Sequence, residues 1–242
     1  KRSRDSIHPI IEAINLDTKD DNNEKINKVT LIDIGANEGQ GISALHSLSD
    51  KRLTCYFHGF EMVPENFKTL IEQSKRYPSV KSVLYGFGLS NSERSVQINL
   101  AKESGWHSIN NNQAWKDRGG SQVECNLKVF DEAFNLNEIR GACVVKIDVE
   151  GHELSVLEGM DISLKSGMIH SLVIEAGFNP EDIQHTYFVD IINFLAPFGF
   201  RCASILDVCA YAHSDWGNNY SIGFCNAIFL LDKTRKKRGQ GI

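Results

Sequence analysis

The stretch LIDIGANEGQG, residues 31–41, decides how this sequence is read. It begins as the end of a nearly continuous apolar run over residues 29–34, which is typical of a strand buried on both faces of a parallel sheet. A glycine-rich turn follows, and then a helical pattern over residues 39–48. Glycines at such a turn let the backbone approach a ligand closely and point helix N–H groups at it. The stretch therefore predicts a nucleotide-like cofactor at the turn.

The glycine spacing distinguishes this turn from a dinucleotide-binding one. Dinucleotide binding requires the pattern G-x-G-x-x-G, whereas the glycines here stand at positions 35, 39 and 41. Asn37 occupies the place of the second glycine, and Asp33 comes just before the turn. This arrangement suits a cofactor that carries an amino acid better than one that carries a pyrophosphate. The predicted cofactor-binding residues of the turn are Asp33, Gly35, Asn37 and Gly39.

An acidic residue, Glu61, closes the second predicted strand, residues 53–60. A carboxylate at that place can accept hydrogen bonds from both ribose hydroxyls of an adenosine. The end of the third predicted strand, residues 79–87, would then lie beside the adenine. We therefore add Glu61, Gly88 and Leu89 to the predicted cofactor-binding residues. The alternative for Glu61 is an exposed residue at a strand end, and the alternative for Gly88 and Leu89 is an ordinary turn.

A third cluster, KIDVEGHE at residues 146–153, follows the fourth predicted strand, residues 142–147. It crowds ionisable side chains at the edge where parallel sheets bind their ligands. Crowded carboxylates raise one another's pKa, so a structural protein has little reason to place them there. A further acid, Glu175, comes after the fifth predicted strand, residues 169–174. The candidate catalytic residues are Asp148, Glu150, His152 and Glu175.

Strands and helices alternate along most of the chain, which predicts an α/β fold with a doubly wound, mostly parallel sheet. The alternation breaks after the third strand, where a hairpin-like insertion is predicted between residues 88 and 130. The last third predicts a helix over 182–195 and strands over 200–206 and 222–231. We expect three segments, namely a helix and polar linker in residues 1–28, one domain over residues 29–232 and a basic tail over residues 233–242.

Composition excludes several classes of protein. The chain of 242 residues has a formal net charge of −5, which argues against a protein that coats nucleic acid. Its six cysteines show no C-x-x-C spacing, and they favour a reducing compartment such as the cytoplasm. No apolar run is long enough to predict a transmembrane segment. The sequence opens on Lys1 rather than Met, so we allow for an upstream domain.

The stretches DIGANEG at 33–39, FEMVPENF at 60–67 and KIDVEGHE at 146–153, with VLEGM at 156–160, together resemble the FkbM-type methyltransferase family. The resemblance covers residues 29–177. It implies a class I methyltransferase (Rossmann-like) fold with strand order 3-2-1-4-5-7-6 and the last strand antiparallel. It also implies S-adenosylmethionine as the methyl donor. One difference is that the proline that usually follows the acidic residue directly stands at position 64, three residues after Glu61.

Characterised members of that family methylate hydroxyls, often on sugars, glycolipids or natural products. We therefore expect O-methylation of a hydroxyl of a sugar, a glycan or another small polar acceptor. Two routes for the hydroxyl proton stay open. His152 can act as general base near neutral pH, or Mg²⁺ held by Asp148 and Glu175 can lower the acceptor's pKa. Loop residues that suit a sugar by stacking and hydrogen bonding are Trp106, His107, Trp216, Asn218 and Asn219.

Two other functions remain as alternatives. One is a methyltransferase that acts on nucleic acid or protein, but amino-methylases carry an Asn/Asp-Pro-Pro-aromatic turn after the fourth strand, and residues 148–151 read DVEG. The other is a catalytically silent scaffold that keeps the cofactor fold. The acidic residues at the predicted ligand edge argue against a scaffold.

Overall fold

The computed structural model describes residues 27–49, 53–99, 122–213 and 219–232, together with Pro9, Glu12 and Ala13. These three isolated residues are helical and fall within the helix predicted near the N-terminus, and Ala13 is buried. Most of residues 1–28 and all of the tail 233–242 lie outside the described residues. The division into three segments therefore stays a prediction.

A seven-stranded sheet organises the described chain. Its strands are β1 (Lys28–Ile34), β2 (Thr54–Phe60), β3 (Val80–Tyr85), β7 (Ala142–Ile147), β8 (Ser171–Gly177), β9 (Phe200–His213) and β10 (Asn219–Leu231). Their order across the sheet is β3-β2-β1-β7-β8-β10-β9, and β10 runs antiparallel to both neighbours. Counted among these seven strands alone, the order is 3-2-1-4-5-7-6. The predicted fold class is confirmed.

Helices cover both faces of this sheet, so each buried strand contributes to two apolar clusters. In β7, Cys143, Val145 and Ile147 belong to one cluster, and Ala142 and Val144 belong to the other. This two-sided burial is why the sequence of the strand is an almost unbroken apolar run. The helices are α1 (Gln40–Ser49), α2 (Pro64–Arg76), α3 (Phe130–Ala133), α4 (Glu153–Glu158), α5 (Asp161–Ser166) and α6 (Phe188–Leu195), with short 3₁₀ turns at Leu136–Glu138 and Ala196–Phe198.

The insertion after β3 forms a second sheet of three strands. These are β4 (Gly88–Ser90), β5 (Arg94–Asn99) and β6 (Gln122–Val129), in the order β4-β6-β5. Strands β5 and β6 pair antiparallel, as the predicted hairpin requires, while β4 pairs parallel with β6. The third predicted strand was expected to reach residue 87, but β3 ends at Tyr85 because the chain crosses to the second sheet there.

Other predicted boundaries also differ from the structure. Strand β8 continues through Glu175 because β10 pairs with it up to Gly177. Strand β9 runs to His213 because it forms a long hairpin with β10 beyond the part of β10 that β8 covers. Helix α6 begins at Phe188 rather than at 182, because side-chain hydrogen bonds of Asn179 and Asp182 to backbone N–H groups shape turns in the preceding residues.

Two further findings bear on composition. The six cysteines are all free, and four of them, Cys55, Cys125, Cys143 and Cys225, are buried. Among the described residues, no helix combines the length and apolar character that crossing a membrane would take.

Candidate functional site

The turn between β1 and α1 is held by the strands on either side of it. The backbone N–H groups of Gly35 and Ala36 both donate to the carbonyl oxygen of Phe60 on β2, at 3.0 Å. On the other side, the N–H of Asp148 donates to the carbonyl oxygen of Ile34, also at 3.0 Å. Gly35 has φ +82°, and a Cβ there would lie 2.0 Å from the carbonyl oxygen of Asp148. The turn is therefore fixed in a shape that leaves no room for a side chain at position 35.

Glu61 joins this turn to the start of α2. Its carboxylate is buried, Oε2 accepts a hydrogen bond from the N–H of Asn37 at 2.8 Å, and Oε1 accepts one from the N–H of Val63 at 2.7 Å. Because Pro64 has no N–H, Val63 offers the last backbone donor before the helix. Each carboxylate oxygen can accept more than one hydrogen bond, so Glu61 retains capacity for further donors. Burial raises its pKa from 4.5 to about 7, although these two N–H groups oppose the rise.

Two acceptor atoms beside the turn have no hydrogen-bond partner among the described residues. They are the buried Oδ1 atoms of Asp33 and Asn37. Burial raises the pKa of Asp33 to about 6, although Lys146, whose Nζ lies 3.7 Å from Oδ1, opposes the rise. Asn37 has φ +47°, a conformation that asparagine tolerates better than most residues. Buried acceptors without donors are costly, so this pair suits a ligand that brings N–H or O–H groups.

The ends of β7 and β8 form a charged edge, which we define as Lys146, Asp148, Glu150 and Glu175. The Lys146 ammonium lies 2.9 Å from Oδ2 of Asp148. Burial alone would raise the pKa of Asp148, but the Lys146 ammonium, together with Glu175 and His185, lowers it. The pKa of Glu175 rises well above its ordinary value because of burial and of the nearby Asp148 and Glu150 carboxylates. Asp148 is therefore the anion of the pair, and Glu175 holds a proton with which it can hydrogen-bond to Asp148.

The loop after β7 is strained and tightly held. Glu150 has φ +54° and Gly151 has φ +91°. A left-handed conformation costs a residue other than glycine roughly 1–2 kcal/mol, and such strain is often found at functional sites. Buried Glu153 stabilises the loop, since its Oε1 accepts hydrogen bonds from the N–H groups of Val149 and Gly151. Glu153 therefore shapes the loop rather than lining the edge.

His152 lies beside the insertion rather than within the charged edge. Its Nε2 is 3.0 Å from Oγ of Ser90 on β4. Burial lowers the pKa of the imidazole, and the nearby Arg94 lowers it further. The contacts of His152 thus join the loop to the second sheet, and its role as a general base stays a prediction.

The structure also brings together residues that the sequence reading did not single out as catalytic. His185 is buried, with Nδ1 2.8 Å from Oδ2 of Asp182 and Nε2 3.5 Å from Oε2 of Glu175. Lys146 was part of the quoted motif, but it was read as a strand residue. The signals available for these residues were a basic residue inside a buried strand and an Asp-x-x-His spacing, and both are weak.

The remaining predicted residues divide into two groups. Leu89 is buried in the core with Phe60 and Phe130, and a Cβ at Gly88 would lie 2.7 Å from side-chain atoms of Leu127 and Met62. Close packing accounts for both positions, so their contact with an adenine stays a prediction. Trp106, His107, Trp216 and Asn218 lie outside the described residues, as does the side chain of Asn219.

The predicted Mg²⁺ route uses two carboxylates of the charged edge, Asp148 and Glu175. Among the described residues, no group of three or more His, Cys, Asp or Glu side chains is arranged to hold a metal ion. The Lys146 ammonium already stands beside Asp148, where it provides the positive charge that a metal ion would otherwise bring.

Comparisons with known proteins find relatives of this chain. The family described as Methyltransferase FkbM domain matches residues 33–202. The hexuronic acid methyltransferase AglP of Haloferax volcanii is 34% identical over 127 residues, which are 51% of this chain and 49% of that protein. The crystal structure of a methyltransferase FkbM from Methylobacillus flagellatus KT superposes with a TM-score of 0.54 at 14% identity, over 85% of this chain and 44% of that one. The chain thus spans about half the length of these relatives.

Proposed function

The chain belongs to the FkbM methyltransferase family, and from that premise we propose that it transfers the methyl group of S-adenosylmethionine to a hydroxyl of a sugar. Membership of the family implies S-adenosylmethionine as the methyl donor. The observation that carries the proposal is the glycine turn, which is fixed between β2 and β7 with the buried Glu61 on one side and the charged edge on the other. One end of that arrangement suits an adenosine, and the other suits a polyhydroxylated acceptor.

The residues present fit the donor. Glu61 would accept hydrogen bonds from the ribose hydroxyls, and the Oδ1 atoms of Asp33 and Asn37 would accept them from the donor's amino-acid part. Gly35 and Gly39, both with positive φ, would allow the backbone to come close to it. When bound, S-adenosylmethionine supplies an already activated methyl group. The protein must then mainly align the acceptor oxygen, which can contribute roughly 7–11 kcal/mol.

The acceptor class is inferred from two independent facts. The curated relative is named for hexuronic acid, which is a sugar that carries both hydroxyls and a carboxylate. In this chain the partly exposed carboxyl groups of the charged edge, Asp148 and Glu175, can accept hydrogen bonds from sugar hydroxyls. The Asp148 carboxylate would repel an acceptor carboxylate that approached it directly. We therefore assign the methyl group to a hydroxyl of a hexuronic acid or a related sugar.

A further part of the proposal is that methyl transfer does not require Mg²⁺. Because Lys146 already compensates Asp148, we expect transfer without a metal ion. Treatment with EDTA should leave the rate unchanged. A loss of activity on chelation that Mg²⁺ restores would instead favour metal assistance by Asp148 and Glu175.

The test is transfer of labelled methyl from S-adenosylmethionine to methyl β-glucuronide, with methyl β-glucoside, a transfer RNA and an unfolded protein as competing acceptors. We expect label in the glucuronide that survives mild alkali, because a methyl ether is stable there and a methyl ester is not. Alkali-labile label would move the reaction to the carboxylate. Label in RNA or protein, or binding without transfer to any acceptor, would favour the two alternative functions.

A further inference from the structure

His185 is held on three sides by the residues around it. Its Nδ1 lies 2.8 Å from Oδ2 of Asp182, and its ring stacks on that of Phe224 at 4.4 Å with 12° between the planes. The next residue is anchored as well, since the N–H and hydroxyl of Thr186 both donate to Oε2 of Glu153. With Nδ1 beside Asp182, the other ring nitrogen, Nε2, is the one nearest to Glu175.

Glu175 lies between His185 and the solvent-facing part of the charged edge. Its Oε2 is 3.5 Å from Nε2 of His185, and its carboxyl group hydrogen-bonds to Asp148. Its side chain is 15% exposed, compared with 6% for His185 and 28% for Asp148. An acceptor can therefore reach Glu175 and Asp148, whereas His185 is placed behind them.

We propose that Glu175 and His185 together remove the proton of the acceptor hydroxyl, with Asp182 as the residue that positions His185. This inference rests on the proposed function. As the acceptor oxygen forms its bond to the methyl carbon, the carbon–sulfur bond breaks and its electron pair goes to sulfur. The acceptor's O–H proton passes to Oε1 of Glu175, while the proton that Glu175 carries on Oε2 leaves its hydrogen bond with Asp148 and passes to Nε2 of His185. The imidazolium that results is paired with the Asp182 carboxylate.

The arrangement gives Glu175 and His185 roles that neither could fill alone. A carboxyl group that keeps its proton cannot be the final base, but it can pass a proton on. A buried imidazole cannot touch the acceptor, but it can accept a proton from Glu175. The charged groups that face His185 are Asp182 on its own loop and Glu175 on β8, and the charge of Asp148 also acts on it. His152, in contrast, contacts the second sheet.

The experiment compares kcat for methyl β-glucuronide in the wild type, His185→Gln, Asp182→Asn and the control His46→Gln. His46 lies on α1 and contacts Ser79 and Tyr77. We expect His185→Gln to lower kcat about a hundredfold or more and Asp182→Asn to lower it at least about tenfold. The affinity for S-adenosylhomocysteine should stay within about twofold of the wild type in both variants, as general-base loss predicts. His46→Gln should match the wild type.

A pH profile of kcat and an NMR measurement distinguish proton transfer through Glu175 and His185, which we call the relay, from a role of His185 and Asp182 in stabilising the fold alone. Loss of the Asp182 charge should move the acid limb of the kcat profile to lower pH, and ¹⁵N NMR of the wild type should show His185 protonated on Nδ1. The inference is overturned if the wild type is active and His185→Gln keeps its kcat, or if only His152→Gln loses it. An alkali-labile methyl ester as product would also overturn it, because a carboxylate acceptor has no proton to lose. Absence of transfer to any sugar by the wild type is distinguishable from these results and would overturn the proposed function itself, and the relay with it.

Discussion

Glu61 has a structural role in the fold, and we propose that the same carboxylate also binds the donor. It accepts hydrogen bonds from Asn37 and Val63, and in the proposed complex it also accepts from the ribose. Hydrogen bonds to a charged group contribute about 1.5–3 kcal/mol each. We expect Glu61→Gln to weaken binding of S-adenosylhomocysteine by about ten- to hundredfold in calorimetric titration. The exposed neighbour Glu65 offers a matched control, and equal affinities in Glu61→Gln and Glu65→Gln would remove Glu61 from the site.

The raised pKa of Glu61 predicts a pH dependence of stability in the ligand-free protein. The folded protein keeps this proton up to about pH 7, whereas the unfolded chain releases it near pH 4.5. The folded state therefore binds more protons between these values, so the free energy of unfolding should fall as pH rises through that window. Asp33, with a pKa raised to about 6, acts in the same direction. The free energy of unfolding, measured by urea titration at several pH values, should fall less steeply with pH in Glu61→Gln than in the wild type. An equal dependence on pH in the two proteins would contradict this.

At the scale of single residues, the sequence predicted the residues of the glycine turn and Glu175, but not His185, which we propose acts with Glu175. Asp33, Asn37 and Glu61 were predicted because each follows or ends a strand with a clear apolar pattern, and the structure places them together. His185 was not predicted, because its partners come from separate strands and loops. The contact between His185 and Glu175 depends on the loop after β8 folding back onto that strand, where the N–H of Gly177 donates to the carbonyl oxygen of Thr186, and no local pattern encodes this.

At the scale of elements, the passage from β1 to α1 is the most constrained feature of the fold. Alanine at position 35 would have to adopt a positive φ, and its Cβ would collide with the carbonyl oxygen of Asp148 on the neighbouring loop. We expect Gly35→Ala to lower the free energy of unfolding by at least about 2 kcal/mol and to weaken cofactor binding. Gly86→Ala provides the comparison, since its Cβ would meet only the ring of Phe67, at 3.1 Å. An equal loss of stability in the two variants, measured by urea denaturation, would show that the turn is not specially constrained.

The elements themselves were predicted where burial alone decides them. Strand β7 was predicted with the bounds the structure has, because both of its faces are buried and its sequence is apolar throughout. The start of α6 was predicted six residues early, because Asp182 bonds to the N–H of Gln184 and so favours a turn over a first helical turn. Asp182, whose turn precedes the start of α6, also contacts His185. The same local chemistry therefore explains the wrong boundary and the missed residue.

At the scale of the whole molecule, the regular alternation of elements predicted a doubly wound sheet, and the family resemblance implied its strand order. The length of the hairpin formed by β9 and β10 was not predicted, because Asn219 to Ile222 pair with β9 but not with β8. Where a strand extends past its sheet, its two faces are no longer both buried, so the sequence lacks the apolar run that predicts a buried strand. The sequence therefore predicts the sheet edge at which β1, β7 and β8 end better than it predicts the length of the β9 and β10 hairpin.

The central claim is that the glycine turn and Glu61 hold the adenosine of the donor, with its sulfur facing the charged edge. A crystal structure with S-adenosylhomocysteine tests this most directly. The claim predicts ribose hydroxyls within hydrogen-bond distance of the Glu61 carboxylate and a sulfur atom that faces Asp148 and Glu175. A ligand bound elsewhere, or bound at the turn with its sulfur directed away from that edge, would contradict it.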